Sequence, residues 1–175
     1  QMVGRCDVFG RRFDATGTPV DTAIAAGAGQ FNVNQTDGDT GYEPSLATDR
    51  SGNTIAAWTT FGDLNAVVID AAGAHVTGTE TLVTTMTSPG TPAVAVLPDG
   101  RNLIATGRSA LLVDASGADI AEWEACPAKG WTRVTPSRDG TSFYLNNFLE
   151  GFIERRRLSD GAVVARHEKK KKCAL

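Results

Sequence analysis

The sequence repeats one short motif, in which a run of β-prone residues ends in a Gly with an Asp or Ser one to three residues before it. One set, with "RRFDATG", "VVIDAAG", "LLVDASG" and the shorter "RRLSDG", ends at Gly17, Gly73, Gly117 and Gly161. A second set, with "TDRSGN", "LPDGRN" and "SRDGTS", has its glycines at Gly52, Gly100 and Gly140. Asp-Gly and Ser-Gly between β-prone runs are strong hairpin signals. The two sets alternate with a period near 44 residues, so the chain is predicted to form the same pair of hairpins several times.

Four β-prone segments fall within each period, and they predict a four-stranded antiparallel unit with strands A to D. In the second full period these segments are "PAVAVLP", "NLIATG", "SALLVDA" and "DIAEWEA". A repeated unit of this size and strand number is typical of a β-propeller blade. We therefore expect an all-β fold in one propeller-type domain, residues 1–168. Its predicted parts are a half-blade at 7–35 and full blades at 43–83, 92–125 and 131–168, with a basic tail at 169–175. The alternative is an open or irregular β-sandwich.

The first predicted unit contains only the last two strands of a blade. "DVFGRRFDATGTPV" matches strand C and "GQFNVNQ" matches strand D, while strands A and B have no counterpart before them. A propeller needs about four blades or more to close, so these three and a half blades are predicted to belong to a larger ring. We expect the missing strands to come from a second chain, from a second copy, or from residues removed from this chain.

The segment from Asp7 to Trp58 resembles a repeat of large secreted or surface proteins of bacteria. That repeat has the pattern VxxQRFDAxGxP, then FxVN, then PSVAxxxDGxxVVxW. The residues that fall on this pattern are Arg12, Phe13, Asp14, Ala15, Gly17, Pro19, Phe31, Val33, Asn34, Pro44, Ser45, Ala47, Gly52 and Trp58. The resemblance implies an extracellular or cell-surface module with a propeller-like fold that serves as a binding or adhesion scaffold. It carries no catalytic motif to transfer, and the later copies are degenerate.

Composition narrows the classes of partner. The formal net charge of −3 gives no reason to expect nucleic acid, and the apolar runs are too short to span a membrane. The start, "QMVGRCDVFG", has no basic region followed by an apolar run, so no signal peptide is predicted there. The expected partner is a second chain or copy that completes the propeller, with a glycan as a further candidate ligand.

The chain has three cysteines, so it can form one internal disulfide at most, and at least one thiol then remains unpaired. Cys6 precedes a C strand, and Cys126 and Cys173 follow D strands, which places all three on one face in the propeller interpretation. A disulfide between Cys6 and Cys173 would join the first half-blade to the last blade if the ring closes between them. Otherwise one thiol is available to link a partner chain.

The predicted fold assigns the connections to two faces. The A–B and C–D turns form a turn face, and the B–C and D–A connections form a loop face, where ligands of propellers usually bind. We expect a ligand-binding site, if the chain has one, to use Asp37, Asp39, Tyr42, Asp63, Arg108, Trp131 and Asn147. The alternative is that these are solvated loop residues, since polar loops are common on any surface.

No residue is assigned a catalytic role, because His75 and His167 lie far apart and no HExxH, CxxC or GxSxG motif occurs. The segment "DGDTG" at 37–41 has the composition of a Ca²⁺ loop, but the twelfth position from Asp37 is Thr48 rather than Glu. Neither a metal nor a cofactor is therefore expected.

The remaining candidates are three tryptophans and three carboxylates. Trp58 and Trp123 lie within predicted strands and are expected in the core or between blades, whereas Trp131 follows a loop and is the better candidate to stack on a sugar or a partner. The alternative function is a carbohydrate-active enzyme or a lectin of propeller fold that uses the loop face. Glycosidases of this fold need paired carboxylates, and the available ones are Glu122, Glu124 and Glu150.

Overall fold

The fold consists of β-strands joined by tight turns. The computed structural model describes fifteen strands and no helix within residues 7–20, 30–35, 41–60, 63–76, 81–85, 91–107, 109–124, 133–147 and 150–168. These strands form one three-stranded unit and three four-stranded antiparallel sheets. The predicted all-β, propeller-type fold of about three and a half blades is confirmed.

Each of the three complete blades is built from four consecutive strands. The first blade contains β4 (Tyr42–Thr48), β5 (Thr54–Thr59), β6 (Asp63–Ile69) and β7 (Thr81–Thr85). The second contains β8 (Ala93–Val96), β9 (Asn102–Thr106), β10 (Ser109–Val113) and β11 (Asp119–Glu124). The third contains β12 (Arg133–Pro136), β13 (Ser142–Asn147), β14 (Phe152–Arg157) and β15 (Val163–Glu168). The A strands β4, β8 and β12 lie beside one another, so the three blades meet along their first strands.

The unit before these blades has three short strands among the described residues. It contains β1 (Phe9–Phe13), β2 (Pro19–Val20) and β3 (Gln30–Asn32), and β1 is hydrogen-bonded to both of the others. The predicted C strand at 7–20 is therefore a hairpin of two strands, because the turn at Asp14 reverses the chain. The predicted D strand supplies only β3 within the described residues.

Hydrogen bonds show which edge of β1 is covered. Asp14 donates its N–H to the carbonyl oxygen of Thr18 at 2.9 Å, and Val8 accepts from the N–H of Val33 at 2.7 Å. Asp14 and Val8 are six residues apart, and backbone groups an even number of residues apart on a strand point to the same edge. β2 and β3 therefore pair with one edge of β1. No strand among the described residues pairs with the other edge.

Five of the repeated turns share one geometry, which the Asp114 turn illustrates; they contain Gly17, Gly52, Gly73, Gly100 and Gly117. The turns at Gly140 and Gly161 are one residue longer, since they close between Ser137 and Ser142 and between Arg157 and Ala162. Gly117 donates to the carbonyl oxygen of Asp114 at 3.1 Å, and Oδ1 of Asp114 accepts the N–H groups of Ser116 at 2.8 Å and Ala118 at 2.9 Å. Gly117 has φ +88°, a conformation that costs other residues about 1–2 kcal/mol. This is a type I turn followed by a left-handed residue, one of the common hairpin connections. The motif recurs because one hairpin needs both its carboxylate and its glycine.

The core lies between neighbouring sheets rather than inside any one of them. Residues of the second and third blades form one cluster, which includes Leu103, Leu145 and Phe143. Phe143 stacks on Trp123 with ring centroids 5.4 Å apart. Trp58 is 1 % exposed, and it packs with residues of the first blade and the half-blade. The expectation that Trp58 and Trp123 pack between blades is thus met.

His75 contributes a polar contact between the half-blade and the first blade. Its Nδ1 is hydrogen-bonded to Nε2 of Gln35, and because an amide nitrogen only donates, Nδ1 accepts. Burial is the main cause that lowers the pKa of His75 below its usual 6.5, and the backbone of Asn32 and Val33 acts in the opposite direction. The folded chain therefore favours the neutral ring. His75 lies just after the Gly73 turn and is half-buried, because the half-blade covers part of it.

The third blade holds a buried ion pair. Glu154 and Arg156 lie on the same side of β14, with Oε2 and Nη2 2.7 Å apart and side chains 6 % and 9 % exposed. Arg156 also donates to the carbonyl oxygen of Gly161 at 3.2 Å. The guanidinium of Arg166 lies 3.7 Å from the ring centroid of Phe152. Buried charges are tolerated only when paired in this way.

Candidate functional site

The strand directions define the two faces of the molecule. Each A strand runs from the loop face to the turn face, since the A–B turns at Gly52, Gly100 and Gly140 connect the far ends. Tyr42 is the first residue of β4, Asp63 is the first residue of β6, and Asn147 is the last residue of β13. These three predicted site residues therefore share the loop face. The other four, Asp37, Asp39, Arg108 and Trp131, lie outside the described residues, as do Cys6, Cys126 and Cys173.

Tyr42 and Asp63 lie close together on the first blade. Tyr42 pairs with Thr59 of β5, which in turn pairs with Leu64, the neighbour of Asp63 in β6. Two steps of strand spacing separate them by about 10 Å. Tyr42 is 42 % exposed, and Asp63 is half-buried. A ligand at the loop face of this blade can thus meet an aromatic ring and a carboxylate.

Asn147 has a different environment from the other two. Its side chain is 0 % exposed, and its Oδ1 accepts the N–H of Glu150 at 3.0 Å. Its carbonyl oxygen accepts the N–H of Gly151 at 2.9 Å. These bonds close the B–C connection of the third blade, so Asn147 sets the position of that loop.

The three carboxylates considered for an enzyme lie on two blades. Glu150 lies at the loop face before β14, Glu122 lies in the middle of β11, the outermost strand of the second blade, and Glu124 is the last residue of β11. His167 lies in β15, the outermost strand of the third blade. Within the described residues no group of three or more His, Cys, Asp or Glu side chains is arranged to hold a metal ion.

A cleft that the sequence did not predict opens on the turn face. Its volume is about 490 Å³, and the A–B turns of all three blades line it. Arg50, Pro98 and Arg138 occupy equivalent positions, each two residues beyond the end of its A strand at Thr48, Val96 or Pro136. An alignment of the three repeats would have shown arginine at two of these three positions. Nothing in the sequence shows that the three turns converge.

No helix long and apolar enough to cross a membrane is present in the described portion of the chain. No protein-family model matches the sequence, and no curated protein matches it. Solved structures match its fold.

The inactive H270A virginiamycin B lyase of Staphylococcus aureus, solved with quinupristin, matches with TM-score 0.61 and 16 % identity over 91 % of this chain and 48 % of its own. A Bacteroides caccae protein of unknown function matches with TM-score 0.58 and 14 % identity, over 87 % of this chain and 51 % of its own. BamB of Moraxella catarrhalis matches with TM-score 0.56 and 16 % identity, over 81 % of this chain and 40 % of its own. The chain thus spans about half the length of these structures, and the likeness is one of propeller fold.

Proposed function

We propose that this chain is a non-catalytic scaffold module of an extracellular or cell-surface bacterial protein. It contributes about half of a propeller ring and binds a partner or a glycan at its loop face. The observation that carries the proposal is the incomplete first unit, in which β1 has strands on one edge only among the described residues. The resemblance of the first repeat to bacterial surface repeats supports the proposed setting.

The free edge of β1 fits an incoming strand. In the first blade, β6 has the equivalent place and is paired on both edges, with β5 and with β7. Among the residues that the structure describes, β1 pairs only with β2 and β3, on the side where strand D lies in a full blade. The side chains of Phe9 and Phe13 are 56 % and 57 % exposed. An unpaired edge strand with apolar side chains readily pairs with another strand, and strands A and B of a complete blade would cover this one.

Native mass and hydrogen exchange together test whether the chain belongs to a larger ring. We expect either a native mass above the 18.4 kDa of one chain, or a monomer whose amides of Phe9, Arg11 and Phe13 exchange rapidly. In that monomer the amides of Gly10 and Arg12, which face β2 and β3, should be protected. A monomer in which all five amides are protected would contradict the proposal, because the edge would already be covered. The mass of the denatured, non-reduced chain shows whether cysteines hold an oligomer together.

Glycan binding at the loop face has a separate test. A glycan array would be probed with the wild-type chain, with Tyr42→Ala and with Tyr144→Ala. Tyr144 is a matched control, since it is 38 % exposed but lies in the middle of β13. Loss of a signal in Tyr42→Ala alone supports a glycan site at the loop face. Equal signals in all three proteins would place any glycan contact elsewhere.

An enzyme remains the alternative, since one of the similar structures is a lyase. A shared fold does not imply a shared activity when the sequence identity is only 16 %. A retaining or inverting glycosidase needs two carboxylates about 5–10 Å apart, so the single variants Glu122→Gln, Glu124→Gln and Glu150→Gln would identify such a pair if the wild-type chain hydrolyses a glycoside.

A further inference from the structure

The turn-face cleft combines three features of a ligand site. Its volume of about 490 Å³ is within the range of about 300–1,000 Å³ that holds small ligands. It is formed by three hairpins whose turns are fixed by hydrogen bonds between Gly52 and Asp49, Gly100 and Leu97, and Gly140 and Ser137. Its walls are therefore held in place before any ligand arrives.

The carboxylates at this cleft are already engaged within their own turns. Asp49 accepts the backbone N–H of Asn53 at 2.8 Å and its side-chain amide at 2.9 Å, and the side-chain hydrogen bond is the main cause that lowers the pKa of Asp49. Asp99 lies 2.7 Å from Nη2 of Arg101, and hydrogen bonding to Arg101 lowers the pKa of Asp99. Both groups are thus ionised and have partners.

The two arginines of the cleft have no such partner. Arg50 and Arg138 are exposed, and neither forms an ion pair with another residue of the described ranges. They flank Pro98, which holds the equivalent position in the second blade. The cleft therefore has two guanidinium groups without an ion-pair partner among the described residues, and the turns that contain them lie on either side of the turn that contains Pro98.

This arrangement selects the chemistry of a ligand. A planar guanidinium with several N–H donors matches the oxygens of carboxylate, sulfate and phosphate groups. The pyrrolidine ring of Pro98 offers an apolar surface to the C–H face of a sugar, and the hydroxyl of Ser51 at the rim offers a hydrogen bond. We infer that the cleft binds an anionic saccharide that carries at least two negatively charged oxygen groups. This site lies on the face opposite the proposed loop-face site and goes beyond the function proposed above.

Isothermal titration calorimetry tests this inference with two kinds of charged saccharide. Trigalacturonate carries carboxylates, and its fully methyl-esterified form is the uncharged control. Fructose 1,6-bisphosphate carries phosphates, with fructose as its control. We expect at least one charged probe to bind and its neutral counterpart not to bind. The probe that binds identifies the anionic group as carboxylate or phosphate.

Paired variants separate the cleft from general charge effects. Replacing Arg50 and Arg138 together by Ala should weaken binding at least tenfold, because hydrogen bonds to charged groups are lost. Replacing Arg11 and Arg157 by Ala makes the same change of net charge at exposed residues outside the cleft, and should change affinity less than about twofold.

Two results would overturn the inference. One is that neither charged probe binds at millimolar concentration in low salt. The other is that both double variants lose affinity equally, which would mean nonspecific attraction. Because the Tyr42→Ala variant and the native mass examine other parts of the molecule, failure here leaves the proposed scaffold function to its own tests.

Discussion

Gly161 should be harder to replace than Gly100, a turn glycine with a similar backbone conformation. It has φ +71°, and a Cβ at this position would lie 2.8 Å from Nε1 of Trp123 and closer still to two ring carbons. Gly100 has a similar φ of +89°, but a Cβ there would meet nothing within 4 Å. The two positions therefore share a backbone cost and differ in a packing cost.

The expected free-energy changes follow from these two contributions. Gly100→Ala should destabilise the fold by about 1–2 kcal/mol, which is the cost of a left-handed conformation for a residue with a Cβ. Gly161→Ala adds overpacking, which costs about 1–3 kcal/mol, so its total should be about 2–5 kcal/mol. The indole cannot move away freely, because it stacks on Phe143. Losses of this size are a large part of the stability of a typical domain.

Urea denaturation followed by circular dichroism and tryptophan fluorescence would measure both variants. The difference between them is the packing contribution of the Gly161–Trp123 contact. Equal unfolding free energies for Gly100→Ala and Gly161→Ala would refute the reasoning, since they would show that Trp123 yields at no cost. A third variant, Gly161→Ala with Trp123→Leu, should recover part of the packing penalty.

Two further predictions concern buried polar groups. Replacing Glu154 by Leu should reduce the unfolding free energy by about 3–5 kcal/mol, because Arg156 is left buried without its carboxylate; a loss below about 1 kcal/mol would contradict this. Acidification should weaken the contact between the half-blade and the first blade, since the unfolded chain binds a proton at the usual pKa of 6.5 and the folded His75 only below it. The contribution of neutral His75 to this contact should be full above pH 6.5 and fall as the pH approaches the lower pKa of the folded state. Hydrogen exchange of residues 30–35 as a function of pH would measure it. The control variant His75→Asn should show no such pH dependence.

Hairpins were the most predictable part of the fold, because their cause is local. Asp114 and Gly117 fix a turn through bonds that reach four residues at most, so the sequence "VDASG" is enough to predict it. Four such turns, with the β-prone runs between them, then imply the four-stranded units. The first unit was predicted less well, since β1 pairs with two short strands separated by nine residues.

Features that depend on contacts between blades were not predictable from one sequence. The segment "FIERRRL" predicts a polar strand from its composition. Glu154 and Arg156 are nevertheless buried, because the charge of each side chain is neutralised by the other. Arg50 and Arg138 are 88 residues apart in sequence and line the same turn-face cleft because the A strands lie side by side. Of the predicted loop-face residues, Tyr42 is exposed and Asn147 is buried, a difference that depends on packing and not on residue type.

The order of the strands also has a consequence for how the chain reaches its folded state. In the second blade, Val96 pairs with Asn102, Ser109 with Thr106, and Ser109 with Glu124, so no pairing spans more than a short length of chain. Local pairing of this kind speeds folding, because little loop entropy is lost before contacts form. All strand pairings of a blade lie within its own 30 to 45 residues, but its apolar faces are covered only when a neighbouring blade packs against it. The strands of one blade can therefore pair before the next blade has been synthesised, and the packing between two blades then stabilises both sheets.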